Sequence, residues 1–591
     1  MRREHLTRPL NFARLAATLA LAAGLLTACF PAGPAEDPGP GARFPSFEYV
    51  GDDEIFTTAL ADDEFRNPIL AGYYPDPSVV QVDSDYYLVN STFGFFPGLP
   101  VFHSRDLVNW TQISNAVHRA DQMSFEGMDL GLNGLYAPAI EYRDGTFYVI
   151  NTCIGCGGNF IVNSTDPAGP WSDPIWLPHL GGIDPSLFFD DDGKTYIVHH
   201  DNPVEPLYAG HTEISVMEVD PVTFEPLSDD VLLVDGADEA PWPTEWIEGP
   251  HLYKVDGRYY LSAAGGGTGY RHGQLVYRSD TVFGPYEPNP ENPVLTQLGL
   301  PDDREDPVTA TGHGDFFQDA QGDWWIVFLG TRVYDLDPEH PDPGHFHTGR
   351  ETFMLPVTWE NGWPRVLKEK PVPYVVKRPD HPAGPPAARA MTGNFSVTET
   401  FREPELGLHW LFIRTPTSRW WRTGDGELVL EPRAERIGDG AQPSFVGRRL
   451  AHMKASVGTT LRFNPQSEGA EAGLLALQND RFYYAFGLGL DADGDTVLRV
   501  RKRAGADDPA RGHVLAEEKI DAPTGAPIHL RLEIDRPRLD FGYSLDGEVY
   551  ETLLDDADAG PLTTAVAGGF TGAVVGMYAE GPPPGDGIHD P

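Results

Sequence analysis

The stretch Ile247-Glu248-Gly249-Pro250-His251-Leu252-Tyr253-Lys254-Val255-Asp256-Gly257-Arg258-Tyr259-Tyr260-Leu261-Ser262 reads as a strand, a tight Asp-Gly turn and a second strand, with a carboxylate at its start. An Asp-Gly pair between apolar runs is a strong short hairpin signal, because both residues tolerate positive φ. The unit recurs along the chain. Asp76-Pro77-Ser78 opens a run to Asp83-Ser84-Asp85-Tyr86-Tyr87-Leu88-Val89, and Ala137-Pro138-Ala139 opens one to Asp144-Gly145-Thr146-Phe147-Tyr148. Asp184-Pro185-Ser186 leads to Asp192-Gly193-Lys194-Thr195-Tyr196, and His313-Gly314-Asp315 to Gln321-Gly322-Asp323-Trp324-Trp325. Five imperfect copies at intervals of about 45 to 65 residues fit the blades of a β-propeller. The first strand of each blade lines the central axis, so the residue opening it stands at one mouth of the channel. Read blade by blade, that position holds Asp76, Ala137, Asp184, Glu248 and His313. Three carboxylates and an imidazole are expected to converge there, which is costly unless the charges are used or paired.

The bulk composition agrees with an all-β chain. At 591 residues there is too much sequence for one core, and 64 Gly and 55 Pro favour many turns over long helices. A net charge of −45 makes nucleic acid and anionic membrane surfaces poor partners. A neutral substrate is compatible with such a surface.

The N-terminus reads as a targeting segment. Arg2, Arg3, Arg8 and Arg14 precede an apolar run from Leu15 to Leu26, too short to span a membrane. Leu26-Thr27-Ala28-Cys29 ends the run and resembles a bacterial lipobox, in which the cysteine becomes the lipidated first residue. Residues 1–28 are thus expected to be a lipoprotein leader, Cys29 a lipidation site, and residues 29–66 a tether and N-terminal extension, the part around Pro31 to Arg43 being rich in Pro, Gly and Ala. The chain would then be exported and touch a membrane only through its anchor. Of the remaining cysteines, Cys153 and Cys156 lack further ligands at metal-site spacing. A local disulfide or two free thiols are both open.

Residues 67–376 hold the repeats. A second echo runs through them: Ser104-Arg105-Asp106 to Trp110, Ser164-Thr165-Asp166 to Trp171, and Ser279-Asp280 to Tyr286. These read as blade turns whose Asp caps the backbone and whose aromatic packs between blades. Residues 377–394 turn rich in Pro and Ala and read as a linker. From 395 to 581 short alternating runs return, such as Phe482-Tyr483-Tyr484-Ala485-Phe486 and His529-Leu530-Arg531-Leu532-Glu533-Ile534. They predict a β-sandwich of jelly-roll type. Residues 582–591 are expected to form a disordered tail.

Several motifs together resemble glycoside hydrolase family 43. Asn67-Pro68-Ile69-Leu70-Ala71-Gly72-Tyr73-Tyr74-Pro75-Asp76-Pro77-Ser78 is similar to the opening of that family. Gly182-Ile183-Asp184-Pro185-Ser186-Leu187, Glu248-Gly249-Pro250-His251-Leu252, Gly312-His313-Gly314-Asp315 and Gly349-Arg350-Glu351-Thr352-Phe353 resemble its later motifs, in order. The C-terminal region resembles the concanavalin-like sandwich of β-xylosidases in the family. That sandwich closes one side of the pocket in relatives, and Gly569-Phe570-Thr571 to Tyr578 resembles its last strand.

The resemblance implies roles residue by residue. Asp76 is the general base, Glu248 the general acid, and Asp184 the residue that tunes and orients the acid. Arg350 holds substrate hydroxyls, and Phe93 forms an aromatic wall. Tyr136 stands where many β-xylosidases carry Trp, which leaves the sugar open. His313 is the channel histidine that in several relatives sits on a calcium ion or an ordered water cluster. No cofactor is required by the resemblance; calcium at His313, held through waters, is the one metal it allows. The carboxylate types suit this division of labour: inversion needs one to activate water and a protonated one to protonate the leaving oxygen, roughly 6.5–9.5 Å apart. A third carboxylate beside Glu248 would keep it protonated. The expected activity is inverting, exo-acting hydrolysis of xylan-derived oligosaccharides, with release of β-D-xylose, α-L-arabinofuranose or both. The alternatives are a retaining fructan-active propeller enzyme, whose usual Trp-Met-Asn-Asp-Pro opening is missing, and a non-catalytic sugar-binding lipoprotein.

Overall fold

The computed structural model describes residues 41–236, 245–336, 344–380 and 382–582. The leader, Cys29 and almost all of the expected tail lie outside the described residues. Five antiparallel sheets follow one another along residues 78–365 and form the blades, called I to V here. Their innermost strands are Ser78–Val82, Ala139–Arg143, Ile183–Phe189, Glu248–Val255 and Val308–Gln318. Each innermost strand neighbours the next, and that of blade V neighbours that of blade I. The chain ends of the ring are tied together: Glu64–Arg66 pairs with Val375–Lys377, and the Asn67 amide exchanges hydrogen bonds of 2.9 and 3.0 Å with the Met354 backbone.

The hairpin turns carry the backbone that their residues allow. Asp144 and Gly145 have φ of 50° and 86°, Asp256 and Gly257 φ of 50° and 78°, the two positive values a two-residue hairpin needs. The blade turns with aromatic ends behave as their composition suggests. Asp106 Oδ1 accepts from the Val108 and Asn109 amides at 3.0 and 2.8 Å, and Trp110 and Trp171 are buried. Cys153 and Cys156 form a disulfide.

Two further sheets stack as the sandwich. The six-stranded one runs in the order Ser444–Arg449, Val574–Glu580, Glu471–Asn479, Phe482–Leu490, Thr496–Ala504, His513–Lys519. The other, of eight strands, contains an element from the far end of the chain. Ala42–Gly51 lies inside it, paired with Lys454–Arg462 on one side and with Leu428–Leu430 and Ser396–Glu399 on the other. This corrects the reading of residues 29–66 as a tether over the part that is described. Ala42, Phe44, Phe47 and Tyr49 are wholly buried, and Phe47 meets Trp410 edge-on at 5.2 Å between centroids. Pro, Gly and Ala surround the alternating apolar residues of this segment, and an alternating strand needs only a partner to become core.

The described chain therefore passes first through the sandwich, makes the propeller, and returns to complete the sandwich. The two domains are joined by buried polar contacts. Arg332 of blade V reaches Asp53 at 2.6 Å, Glu351 at 2.6 Å and the Ala451 carbonyl at 2.9 Å. Arg449 of the sandwich donates to the Tyr73 carbonyl at 2.6 Å, just before Asp76. Residues 377–380 and 382–394 lie along the propeller, with the Gly384 amide on Asp106 at 2.7 Å and the Ala71 amide on the Met391 carbonyl at 2.7 Å. Phe47→Ala is expected to cost about 3–5 kcal/mol, the usual range for truncating a buried Phe, in chemical denaturation; a tether residue would give no change.

Candidate active site

The five blade-opening residues, Asp76, Ala137, Asp184, Glu248 and His313, line one cavity of about 250 Å³ at the mouth of the propeller. Phe93, Tyr136, Ile183, Trp246, Thr268, Arg350 and Phe570 complete its wall. Every site residue expected from the sequence within the described residues is thus brought together.

The backbone explains how the side chains are aimed. Asp76, Asp184 and His313 have φ of 52°, 50° and 50°, in the left-handed region that Asp and His tolerate better than most residues. Asp184 and His313 sit at bulges of their innermost strands, where the ladder skips between Ile183 and Ser186 in blade III and between Gly312 and Asp315 in blade V, and Asp76 lies two residues before the innermost strand of blade I. In blade IV the skip runs from Glu248 to His251, so the residue matching Asp184 is Gly249, with φ of 58°. Glu248 stands one position earlier than the sequence alignment of blades implied, level with Ile183. The reason is steric. A Cβ at Gly249 would fall 2.5 Å from His313 Nε2, so only glycine fits the bulge there. The acid is carried by the preceding residue, whose side chain is one methylene longer than Asp.

Asp76 is held by three hydrogen bonds from two residues. Arg350 donates from Nη1 to Oδ1 at 2.7 Å and from Nη2 to Oδ2 at 3.4 Å, and Ser91 Oγ donates to Oδ2 at 2.6 Å. His313 Nδ1 stands 3.8 Å from Asp76, and its Nε2 4.0 Å from Asp184. Burial pushes the imidazole down to about 4, so it is neutral near pH 7 and adds no charge. Burial, then the Asp76 carboxylate, raises Glu248 to about 7. Burial, then Glu248 and Asp76, raises Asp184 well above the carboxylate range. Asp184 and Glu248 therefore retain a proton where isolated acids would have none.

The roof is aromatic. Phe93 stacks on Phe570 at 5.5 Å, and Tyr136 lies 5.0 Å from Phe93 and 5.9 Å from Phe570. The Tyr136 hydroxyl donates to the Leu132 carbonyl at 2.6 Å, which turns it away from ligand duty; burial first of all pushes it up to about 12. Arg350 lies over the Phe93 and Phe570 rings at 5.7 and 5.8 Å. Phe570, Trp246 and Ser91 were not singled out from the sequence. Ser91 adjoins the quoted Phe93 stretch, and Trp246 lies two residues before Glu248. Phe570 comes from the sandwich, and nothing local in its sequence says that it reaches the propeller axis.

A calcium ion prefers six to eight oxygen ligands. His313 offers a ring nitrogen, and the adjacent Asp76 oxygens already accept from Arg350 and Ser91. That donor set matches calcium poorly.

Three carboxylates in different electrostatic settings at the axis of a five-bladed propeller describe a hydrolase of sugar bonds. Comparison with known proteins agrees. Residues 65–364 match the model of the glycosyl hydrolases family 43, and residues 398–588 that of the beta xylosidase C-terminal concanavalin A-like domain. The chain belongs to glycosyl hydrolases family 43 and is a glycosidase. It is 37% identical to a non-reducing end alpha-L-arabinofuranosidase, BoGH43B, of Bacteroides ovatus, over 88% of this chain and 92% of that one. A xylosidase/arabinosidase of Butyrivibrio fibrisolvens is 35% identical, covering 87% and 95%. Among solved structures, a GH43_12 protein from a capybara gut metagenome superimposes with a TM-score of 0.82 at 37% identity, over 92% of this chain and 99% of that one.

Phe570→Ala should lower kcat/KM for a small glycoside by about tenfold, equivalent to ~1.4 kcal/mol of transition-state binding, with unfolding unchanged. Steady-state kinetics would show this; an unaltered kcat/KM would mean that the sandwich does not roof the pocket.

Proposed function

We propose that the chain is an inverting, exo-acting glycosidase that releases β-D-xylose, α-L-arabinofuranose or both from xylan-derived oligosaccharides. The observation that carries this reading is the pairing of one firmly held carboxylate, Asp76, with one raised to about 7, Glu248, around a single cavity. Asp76, oriented by Arg350 and Ser91, takes a proton from a water on one face of the sugar. Glu248 gives its proton to the leaving oxygen on the other. Asp184, its own carboxyl raised by burial and then by Glu248 and Asp76, supports the acid as an uncharged neighbour held by the Gly249 amide beside it. Arg350 spans Asp76 and the cavity, so it both orients the base and faces the sugar hydroxyls.

Exo action fits a pocket roofed by Phe93, Tyr136 and Phe570, which leaves room for the end of a chain. The two sugars present similar hydroxyl arrangements, and the relatives' names cover both activities. Export through the leader and anchorage at Cys29 belong to the same proposal. Neither a binding protein without turnover nor a retaining fructan-active enzyme is favoured by these comparisons.

Wild type is expected to turn over aryl β-D-xyloside, aryl α-L-arabinofuranoside or both, and xylobiose or an arabinoxylan fragment. The first-formed sugar should have the opposite anomeric configuration by NMR; retained configuration would refute inversion. Glu248→Gln should lose about 10²–10⁴-fold on natural glycosides, whose poor leaving groups need the acid, and less on activated aryl ones.

The pH profile tests the electrostatics. The acid must be protonated, so kcat/KM should fall as pH rises through about 7, the value to which Glu248 is raised. Asp184 retains its proton in the same range, so the neutral, isosteric Asp184→Asn should leave that limb near 7. A limb moved to lower pH would show that Asp184 is ionised and raises the acid.

A further inference from the structure

Outside the catalytic cavity, blade III gathers metal-ligating side chains of its own. His199 and Asp201 stand two residues apart on Thr195–Asp201 and so share a face of the sheet. Asp230 comes from the residue just before the outer strand, Val231–Asp235. One ligand atom from each of the three lies within 4.8 Å of the others. Glu213 is directly opposite Asp201 across the ladder, which adds negative charge to the same face.

The contacts of the His199 ring call for a positive charge beside it. Its ring is fully buried, and Nδ1 lies 3.2 Å from the His200 carbonyl. A carbonyl only accepts, so Nδ1 carries the proton. Nε2 then directs a lone pair at Asp230 Oδ2, 3.1 Å away. Two lone pairs facing each other at that distance need a positive charge between them, a second proton or a metal ion. A ring N–H given to a backbone carbonyl is also the usual second-sphere bond of a metal-ligating histidine.

A neighbouring triad on the same blade, His211, Glu213 and Asp235, lacks this feature. There Nδ1 accepts from the Leu207 amide at 3.1 Å, so Nε2 carries the proton and donates to Asp235 at 2.6 Å. That pair is complete as an ordinary hydrogen bond.

We propose that His199, Asp201 and Asp230 bind one divalent transition-metal ion, with Zn²⁺ the best match to one imidazole nitrogen and two carboxylate oxygens. The remaining position of a tetrahedral ion would be filled by water, reached past Asp230, whose side chain is 35% exposed. The ion clips the second strand of blade III to its outer edge. It also braces the approach to the catalytic pocket. Asp201 packs against Gly181, where a Cβ would fall 2.9 Å from Asp201 Oδ2, and Gly181-Gly182-Ile183 lead into Asp184.

The test uses the full chain without a histidine tag, stripped with chelator and titrated with Zn²⁺ in a calorimeter, with thermal unfolding in parallel. One equivalent should bind saturably and raise Tm, since a ligand of the folded state alone stabilises it. Asp230→Asn, at the exposed edge, should weaken binding about tenfold or more, and His199→Gln likewise. His211→Gln should leave the affinity unchanged. Absence of a saturable equivalent, or wild-type affinity in Asp230→Asn, would overturn the site. So would NMR evidence that His199 is a doubly protonated imidazolium at neutral pH in protein that takes up no zinc. Hydrolysis of an aryl glycoside, measured alongside, reports the catalytic centre separately, so failure here would not count against the glycosidase reading.

Discussion

Three carboxylates facing one small cavity repel one another, and most of the architecture around the site deals with that repulsion. Arg350 neutralises Asp76 at 2.7 Å. His313, between Asp76 and Asp184, is kept neutral by burial. What remains is the pair Asp184 and Glu248, both raised by burial and by their like-charged neighbours. An acid that is protonated near pH 7 next to a base that is ionised is the condition for this chemistry. A propeller provides it at little backbone cost, because bulges in the innermost strands of blades III, IV and V aim side chains at the axis.

Positioning depends on a few unusual backbone conformations. Asp76 and Asp184 sit in the left-handed region, a sparsely populated state that persists only where surrounding contacts over-determine it. The contacts are present. The Asn90 amide donates to the Tyr74 and Pro75 carbonyls at 3.1 and 2.9 Å, and Thr352 Oγ1 to the Tyr74 carbonyl at 2.7 Å. The loop that carries Asp76 is thereby fastened to blade V, the blade next to Arg350. Fastening of the ring and placement of the base are one set of bonds.

The sandwich is part of the same machine. Its strand Ala42–Gly51 precedes the propeller in sequence, and its remaining strands follow it, so neither domain is a simple appendage. Arg332 and Arg449 tie it to blades V and I with buried bonds to Asp53 and Tyr73. With that interface in place, Phe570 can serve as a roof whose position is as well defined as that of Phe93 beneath it.

The repeated hairpins were legible from local chemistry alone. Asp-Gly turns and alternating strands state their structure over a few residues, and the blade period follows from their spacing. Asp76, Asp184 and Glu248 could be found for the same reason, since each opens a recognisable strand. The register of blade IV could not, because the exclusion of a side chain at Gly249 comes from His313 in the next blade. The role of Ala42–Gly51 was hidden because a strand is identified by its partners, and these lie some 350 to 420 residues away in sequence. Phe570 and the grip of Arg350 on Asp76 are of the same kind. The sequence by itself determined the strands, the turns and the candidate acids, which short-range sterics and periodicity dictate. Only the tertiary structure decided which side chains meet, because contacts between distant segments depend on packing that no local pattern encodes.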